Sequence, residues 1–272
     1  MPEAARLNYI APMSCRPRYY ADDASRDVLT LDPRPVAIED ARLRAHSLSI
    51  EGFELVSHKS AVEDFQDPGE VGRYRWETQR LLLDLTGADE VAFSANPVRR
   101  CGSQTRLTRS GQLFSSHHAH FVHVDISDAT ATSLAKRVQP KHRTEPVRRF
   151  AHYNLWRAFS PPPHDAPLAM CDSRSVSPSD LVEADAIMDI QGKQESSYVA
   201  LVIRYNPNHR WAHYSSMDRD ELLIFKAFDS DANAPRQVPH TAFADPSCPP
   251  GVTPRSSIEM RAIAYWYGEP MR

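Results

Sequence analysis

The sequence predicts a mainly β protein with flanking helices, built as a sandwich or jelly roll. Three observations lead there. From about Leu113 onward, short strand-like runs succeed one another, separated by proline and polar turns. A single strongly amphipathic helix precedes them. The chain is also poor in glycine and rich in proline, nine against twenty-two in 272 residues, and it has no glycine-rich phosphate loop, so nucleotide-binding folds are disfavoured.

Taken in order, the chain up to about Gly52 mixes prolines, charges and short apolar patches, a pattern suited to covering a core. Phe53-Glu54-Leu55-Val56 reads as a short strand. The helix comes next, with Asp67 as N-cap, Pro68 at the first helical position and Glu70 three residues after the cap. Val71, Tyr74, Thr78, Leu81, Leu82 and Leu85 fall at helical spacing, and Gly87 closes the helix. The serial strands are expected at 121–126, 153–159, 167–171, 198–205, 222–228, 238–243 and 258–267. Two helical insertions should interrupt them, one near Asp128 to Val138 and one opening at Ser177-Pro178-Ser179-Asp180, a second capping box. With no clear linker, residues 1–272 form one domain: 1–112 flank the barrel, and 113–272 form its core with a helical insertion near 177–197.

A chain of this length can bury a substantial core without disulfides. The net charge of -3 and pI near 6.5 point to neither a polyanion-binding surface nor an acidic tail, so nucleic acid is not an expected partner. Cys15, Cys101, Cys171 and Cys248 are scattered and read as free thiols of a reducing compartment. No run of about 20 apolar residues is present, so a membrane is not expected and the location is read as cytoplasmic.

The chemistry-bearing residues begin with His123 and Asp125 in Phe121-Val122-His123-Val124-Asp125. One residue between an imidazole and a carboxylate places both on one face of a strand, which suits metal binding. By itself the pair is a weak signal. Downstream, His240 opens a strand-like run and Arg255-Ser256-Ser257 opens its partner, which completes a His-x-Asp, His, Arg-x-Ser series. Two imidazoles and one carboxylate on one face of a metal form the facial triad of non-haem Fe(II) oxygenases, with the opposite face open. Two open positions suit the C1 carboxylate and keto oxygen of 2-oxoglutarate, and the third suits O2. The distal carboxylate then needs a cationic fork. Arg255 with Ser257, on one strand face, answers that need, because a guanidinium pairs bidentately. Arg261 shares the face and is an alternative anchor. His209 and His213 are rival third ligands, although neither is succeeded at hairpin distance by an Arg-x-Ser.

With these motifs in order, the chain resembles the 2-oxoglutarate/Fe(II)-dependent dioxygenase-like proteins related to the fungal aspergillic-acid hydroxylase/desaturase and to the cephamycin 7-methoxylation component. The resemblance runs from about Phe53 to Tyr267. It rests on Val122-His123-Val124-Asp125, Tyr153-Asn154-Leu155-Trp156-Arg157, the stretch from Pro167 to Val176, His209-Arg210-Trp211, Asp220 to Lys226 with Asp229-Ser230, His240-Thr241-Ala242-Phe243 and Arg255 to Arg261. It implies a double-stranded β-helix (a cupin-like jelly roll), Fe(II), 2-oxoglutarate and O2, and hydroxylation, desaturation or oxidative cyclisation of a small-molecule substrate. A homodimer or an accessory enzyme is the partner it allows, and a non-oxidative accessory subunit is the competing class. The interval between Asp125 and His240 is longer than the wider superfamily commonly shows, and an insertion over the barrel mouth is the expected reason.

The remaining candidates have ordinary readings beside functional ones. Tyr153, Leu155 and Arg157 share one face, Asn154 and Trp156 the other, and whichever face looks into the barrel could hold cosubstrate or substrate. Tyr153 is the cofactor candidate here, and Arg157 a substrate candidate. Asp172 and Arg174 are either a surface ion pair or a polar contact to substrate. His117, His118 and His120 crowd the approach to His123 and read as surface or supporting residues. His152 reads as well as a satisfied core residue.

Overall fold

A computed structural model describes residues 4–21, 23–101, 119–190 and 193–269. In chain order the strands are β1 (Ala4–Ile10), β2 (Arg18–Tyr20), β3 (Leu31–Asp40), β4 (Phe53–Ser57), β5 (Glu90–Phe93), β6 (Val98–Cys101), β7 (His123–Val124), β8 (Val147–Ala158), β9 (Leu168–Cys171), β10 (Leu181–Ile190), β11 (Lys193–Ile203), β12 (Trp211–His213), β13 (Glu221–Asp229), β14 (His240–Ala242) and β15 (Ser256–Tyr267). Helix α1 (Val71–Thr86) precedes β5, and α2 (Asp128–Val138) comes after β7. A nine-stranded sheet runs β1-β3-β12-β9-β14-β7-β11-β10-β2. A second sheet runs β4-β13-β8-β15-β5, with β6 also on β15. This is the jelly-roll class expected from the serial strands.

Period-2 alternation in β8 and β15 divides the core. Antiparallel pairing sets Asn154 opposite Arg261, Trp156 opposite Glu259 and Ala158 opposite Ser257. Trp156 and Ala158 pack between the sheets with Phe53, Met170, Phe225 and Val238. Their neighbours Tyr153 and Leu155, with Ile258, Met260 and Ala262, face the other way and meet Tyr74 and Leu82 of α1. Each buried face removes apolar area from water, worth roughly 25 cal/mol per Å². A third cluster brings together Tyr9 of β1, Val124 of β7, Ile203 of β11 and Trp211 of β12, all strands of the nine-stranded sheet.

Helix α1 forms where its caps direct. The Asp67 carboxylate accepts from Gly69 N at 2.8 Å, the turn Pro68–Glu70 is 3₁₀, and the α-helix proper starts at Val71. Gly87 closes it in the left-handed region at φ +61°, its N–H donating to Leu83 O. Tyr74, Thr78 and Leu82 are buried, whereas Leu85, placed on the same face by spacing, is exposed at the last turn.

The segment expected as a helical insertion near 177–197 is instead a β-hairpin. Ser177 and Asp180 do make the capping box, but it closes one 3₁₀ turn, and Leu181 is already extended. From there Glu183 is exposed, Ala184 buried, Asp185 half-buried and Ala186 buried, a strand alternation. β10 pairs with β11 from Leu181↔Ile203 to Ile190↔Lys193, and each continues into the nine-stranded sheet through β2 and β7. Asp180 is meanwhile taken up by Asn206 and His209, which ties the turn to the loop after β11 and leaves it no helix to start. This part of the long interval between Asp125 and His240 is therefore two strands of the nine-stranded sheet rather than a helical insertion.

Candidate metal centre

The centre is assembled on two neighbouring short strands. β7 pairs with β14 so that His123 and His240 lie directly opposite each other, and Asp125 comes one residue after β7. Nitrogen and oxygen ligand atoms of His123, Asp125 and His240 all lie within 4.8 Å of one another, and all three residues are buried. The imidazole centroids are 4.4 Å apart, and His240 Nε2 is 3.6 Å from Asp125 Oδ2.

Each imidazole is held from behind. His123 Nδ1 sits 2.9 Å from Phe121 O, and His240 Nδ1 3.1 Å from Val238 O. A carbonyl only accepts, so Nδ1 carries the proton and Nε2 keeps its lone pair toward the centre. Burial pushes the His123 imidazole down to about 3, helped by repulsion from His240. Burial likewise lowers His240. Both are therefore neutral at pH 7, the form that binds a metal. Burial alone would raise the Asp125 carboxyl, but Arg261, with the two imidazoles and Asn154, outweighs it and holds the group well below the usual carboxylate range.

Arg261 donates from Nη2 to Asp125 Oδ1 at 2.6 Å and from Nε to Glu259 Oε1 at 2.8 Å. Its fork is spent on orienting the carboxylate. Asn154 Nδ2 donates to Asp125 Oδ2 from the inward face of β8. Sequence spacing did not single out Asn154 as a functional residue. The available signal was its place on the same strand face as Trp156, combined with the register to Arg261.

A small cavity beside the histidines is lined by Arg100, Trp156, Leu168, Arg255 and Glu259. Arg255 is only 1% exposed, its guanidinium 5.1 Å from the Trp156 ring centroid and its backbone N–H donating to Asp165. Burial, then the like charge of Arg100, pushes it down to about 9. Ser257 Oγ is buried with no hydrogen-bond partner among the described residues. A buried hydroxyl left in this way marks a place for a polar ligand.

Several candidates lie elsewhere. Tyr153 faces α1, in the layer outside the barrel, because the inward positions of β8 belong to Asn154 and Trp156. Arg157 faces the same way, bonding His58 O at 3.0 Å, His58 Nδ1 at 2.7 Å, Arg219 O and Tyr74 OH. Neither reaches the cavity. Asp172 accepts a bidentate pair from Arg174 at 3.0 and 2.7 Å and a further bond from Arg210 at 2.9 Å, and Arg174 also meets Glu51. This ion cluster fastens the end of β9, and neither Asp172 nor Arg174 lines the cavity. His209 bonds Asp180 and Tyr9, and His213 packs on Phe243, so neither joins the ligand set. His152 is a core residue, its Nε2 3.0 Å from Ala131 O in α2. His120 is exposed, while His117 and His118 lie outside the described residues.

Comparison with known proteins places the chain in a family. A family model described as an oxidoreductase/YMDC permease-like domain matches residues 7–265. The hydroxylase/desaturase asaB of Aspergillus flavus is 32% identical over 212 residues, 71% of this chain and 90% of that protein. The chain belongs to the 2-oxoglutarate/Fe(II)-dependent dioxygenase-like hydroxylase/desaturase family. Within it, the hydroxylase/desaturase CTB9 of Cercospora beticola is 29% identical over 254 residues, covering 86% of this chain and 77% of its own. The solved structure of the iron and alpha-ketoglutarate-dependent endoperoxidase NvfI superposes with a TM-score of 0.75 over 97% of this chain and 98% of that one, at 23% identity, and so shows the shared fold.

Proposed function

We propose that this protein is an Fe(II)- and 2-oxoglutarate-dependent oxygenase that hydroxylates, desaturates or oxidatively cyclises a small molecule in specialised metabolism or amino-acid modification. The convergence of His123, Asp125 and His240, each buried and each held by a second group, carries the reading. His123 Nε2, Asp125 and His240 Nε2 would hold the iron. Arg255 and Ser257 would receive the distal carboxylate of 2-oxoglutarate. Arg255 is preferred to Arg261 for this because it lines the cavity, while Arg261 is engaged with Asp125 and Glu259. When bound, Fe(II) with 2-oxoglutarate and O2 supplies an oxidant able to attack an unactivated C–H bond. The chain's own task is positional. Arg261 and Asn154 keep the Asp125 carboxylate aimed, the backbone carbonyls of Phe121 and Val238 fix both imidazoles, and the Phe225 ring packs against that of His240.

No helix among the described residues is long and apolar enough to cross a membrane. A cytoplasmic location, with a small-molecule substrate and a homodimer or accessory enzyme as partner, completes the reading. Neither the site nor the relatives' names favour the non-oxidative accessory subunit. Wild-type protein should bind Fe(II) anaerobically and release succinate from 2-oxoglutarate in air, His240→Ala should lose at least about 100-fold in Fe(II) affinity, and His209→Ala should keep it. Intact Fe(II) affinity in His240→Ala would sink the assignment.

A further inference from the structure

His213 does not reach the metal centre, and it stands instead against a cavity of about 680 Å³ on the other side of the nine-stranded sheet. Alternation places it there. β3 presents Val36, Ile38 and Asp40 to one face, and its register with β12 sets Ile38 opposite Trp211 and Asp40 opposite His213. Val36, Ile38 and Trp211 pack in one apolar cluster with Val122 and Val124. His123 and Asp125 alternate with those two valines and so point the opposite way, toward the metal centre. Asp40 and His213 are thus a polar pair at the end of an otherwise apolar face.

Ala5, Ile38 and Phe243, all buried, give this cavity an apolar floor. His213 lies edge-on to Phe243, ring centroids 5.3 Å apart, and its Nδ1 is buried with no hydrogen-bond partner among the described residues. Glu39, Asp40 and Asp245 bring three carboxylates to the same cavity. Glu39 is paired with Arg44 at 2.7 Å. Asp40 accepts from Ser215 Oγ at 2.7 Å and from the backbone N–H of Arg42 at 3.0 Å, while the Arg42 guanidinium is taken up by Glu221. Asp245 accepts from Ser247 N at 2.9 Å and Ser247 Oγ at 2.7 Å. These donors are neutral, and among the described residues neither Asp40 nor Asp245 has an ion-pair partner. Both charges reach the His213 imidazole, yet burial outweighs them and keeps the ring neutral at pH 7. A neutral imidazole offsets no carboxylate and offers one nitrogen as an acceptor.

We propose that this cavity is a second small-molecule site, separate from the metal centre, and that it takes a protonated amine carried on an apolar ring. The volume is that of ordinary small-molecule sites, roughly 300–1,000 Å³. The ammonium group is held by Asp40 and Asp245 through charge-assisted hydrogen bonds and donates to the His213 ring, while the apolar body rests on Ala5, Ile38 and Phe243. A neutral guest would leave both carboxylates without a counter-charge, and an anion would be repelled by them. The site shares no residue with the metal centre, so the proposal stands whether or not the oxygenase reading holds.

Calorimetric titration of the full-length protein with tryptamine and with tryptophol, the same indole carrying a neutral hydroxyl in place of the ammonium, provides the test. Wild type should bind tryptamine about 10-fold or more tightly than tryptophol. The double variant Asp40→Asn with Asp245→Asn keeps a carbonyl acceptor for each turn and should bring the two affinities within about 2-fold. Each single variant should lose part of the preference, so the result does not depend on the double variant folding. His213→Leu should weaken tryptamine by about 5-fold. Adding Mn(II) with 2-oxoglutarate should leave tryptamine binding as it was. No tryptamine binding, equal affinities for the two indoles in wild type, or a preference that survives in the Asn variants overturns the proposal. Displacement of tryptamine by Mn(II) and 2-oxoglutarate does so too, because the amine would then sit at the metal centre.

Discussion

Replacing Arg255 by methionine should weaken cosubstrate binding and stabilise the ligand-free protein, two effects of opposite sign from one side chain. Arg255 is 1% exposed, and its environment moves the guanidinium well below its ordinary value, to about 9, mainly by burial and then through Arg100. At about 1.4 kcal/mol per unit, the charged form carries on the order of 3–5 kcal/mol of unfavourable environment before an anion arrives. Its stacking on Trp156 at 5.1 Å returns part of that, on the order of 1 kcal/mol. Arg255→Met keeps the apolar stem and removes the charge, so the ligand-free protein should gain roughly 1–3 kcal/mol. The lost bidentate contact should weaken 2-oxoglutarate by about 2–4 kcal/mol, roughly 30-fold to 1,000-fold. Thermal melts with Mn(II), with and without 2-oxoglutarate, read both effects. Wild type at about 100 times its dissociation constant should gain about 2.7 kcal/mol from the cosubstrate, and the variant almost none. A variant that melts below wild type without ligand, yet is still stabilised by 2-oxoglutarate as wild type is, refutes the assignment of Arg255 as anchor.

Arg261→Gln should lower Mn(II) affinity by about 10–100-fold with little change for 2-oxoglutarate, because Asp125 loses its 2.6 Å support. Tighter metal binding would mean that Arg261 acts chiefly by charge repulsion. Arg157→Met should destabilise the fold by roughly 2–4 kcal/mol in urea titrations, since the carbonyls of His58 and Arg219 lose their donor. Metal affinity of the folded fraction should be unchanged, and a selective loss of metal or cosubstrate would return Arg157 to the site. His152 supplies a pH effect. Burial holds it at about 4 against an ordinary 6.5, so its contribution to stability is complete above 6.5 and is lost as pH falls toward 4. Between pH 7 and 5 that loss is roughly 2 kcal/mol, and His152→Gln should show a correspondingly shallower decline; equal slopes would count against a buried neutral His152.

Much of the site was legible because its groups sit at spacings that strand geometry respects. His-x-Asp and Arg-x-Ser each place two side chains on one face whatever the rest of the fold does. Gly87 located the end of α1 for the same local reason, whereas the cap at Asp67 closes a 3₁₀ turn ahead of the helix, which starts at Val71. The 177–197 segment misled because a capping box specifies only the turn it closes. Beyond that turn, the path of the chain depends on whether neighbouring strands exist to pair with, and β2 and β7 are distant in sequence. Tyr153 and Arg157 were separated correctly from Asn154 and Trp156 by alternation, but the alternation has no sign until the sheet has an inside.

The strand-rich class, the close of α1 at Gly87 and the metal-binding chemistry on offer at His123, Asp125 and His240 were legible in the sequence alone, since these depend on local periodicity and on the chemistry of single side chains. What surrounds each arginine was settled only by the folded arrangement. Arg100, Arg255 and Arg261 are chemically alike. Their surroundings differ because the register of β15 against β6 and β8 seats one beside Ser257, buries the second over Trp156 and turns the third onto Asp125.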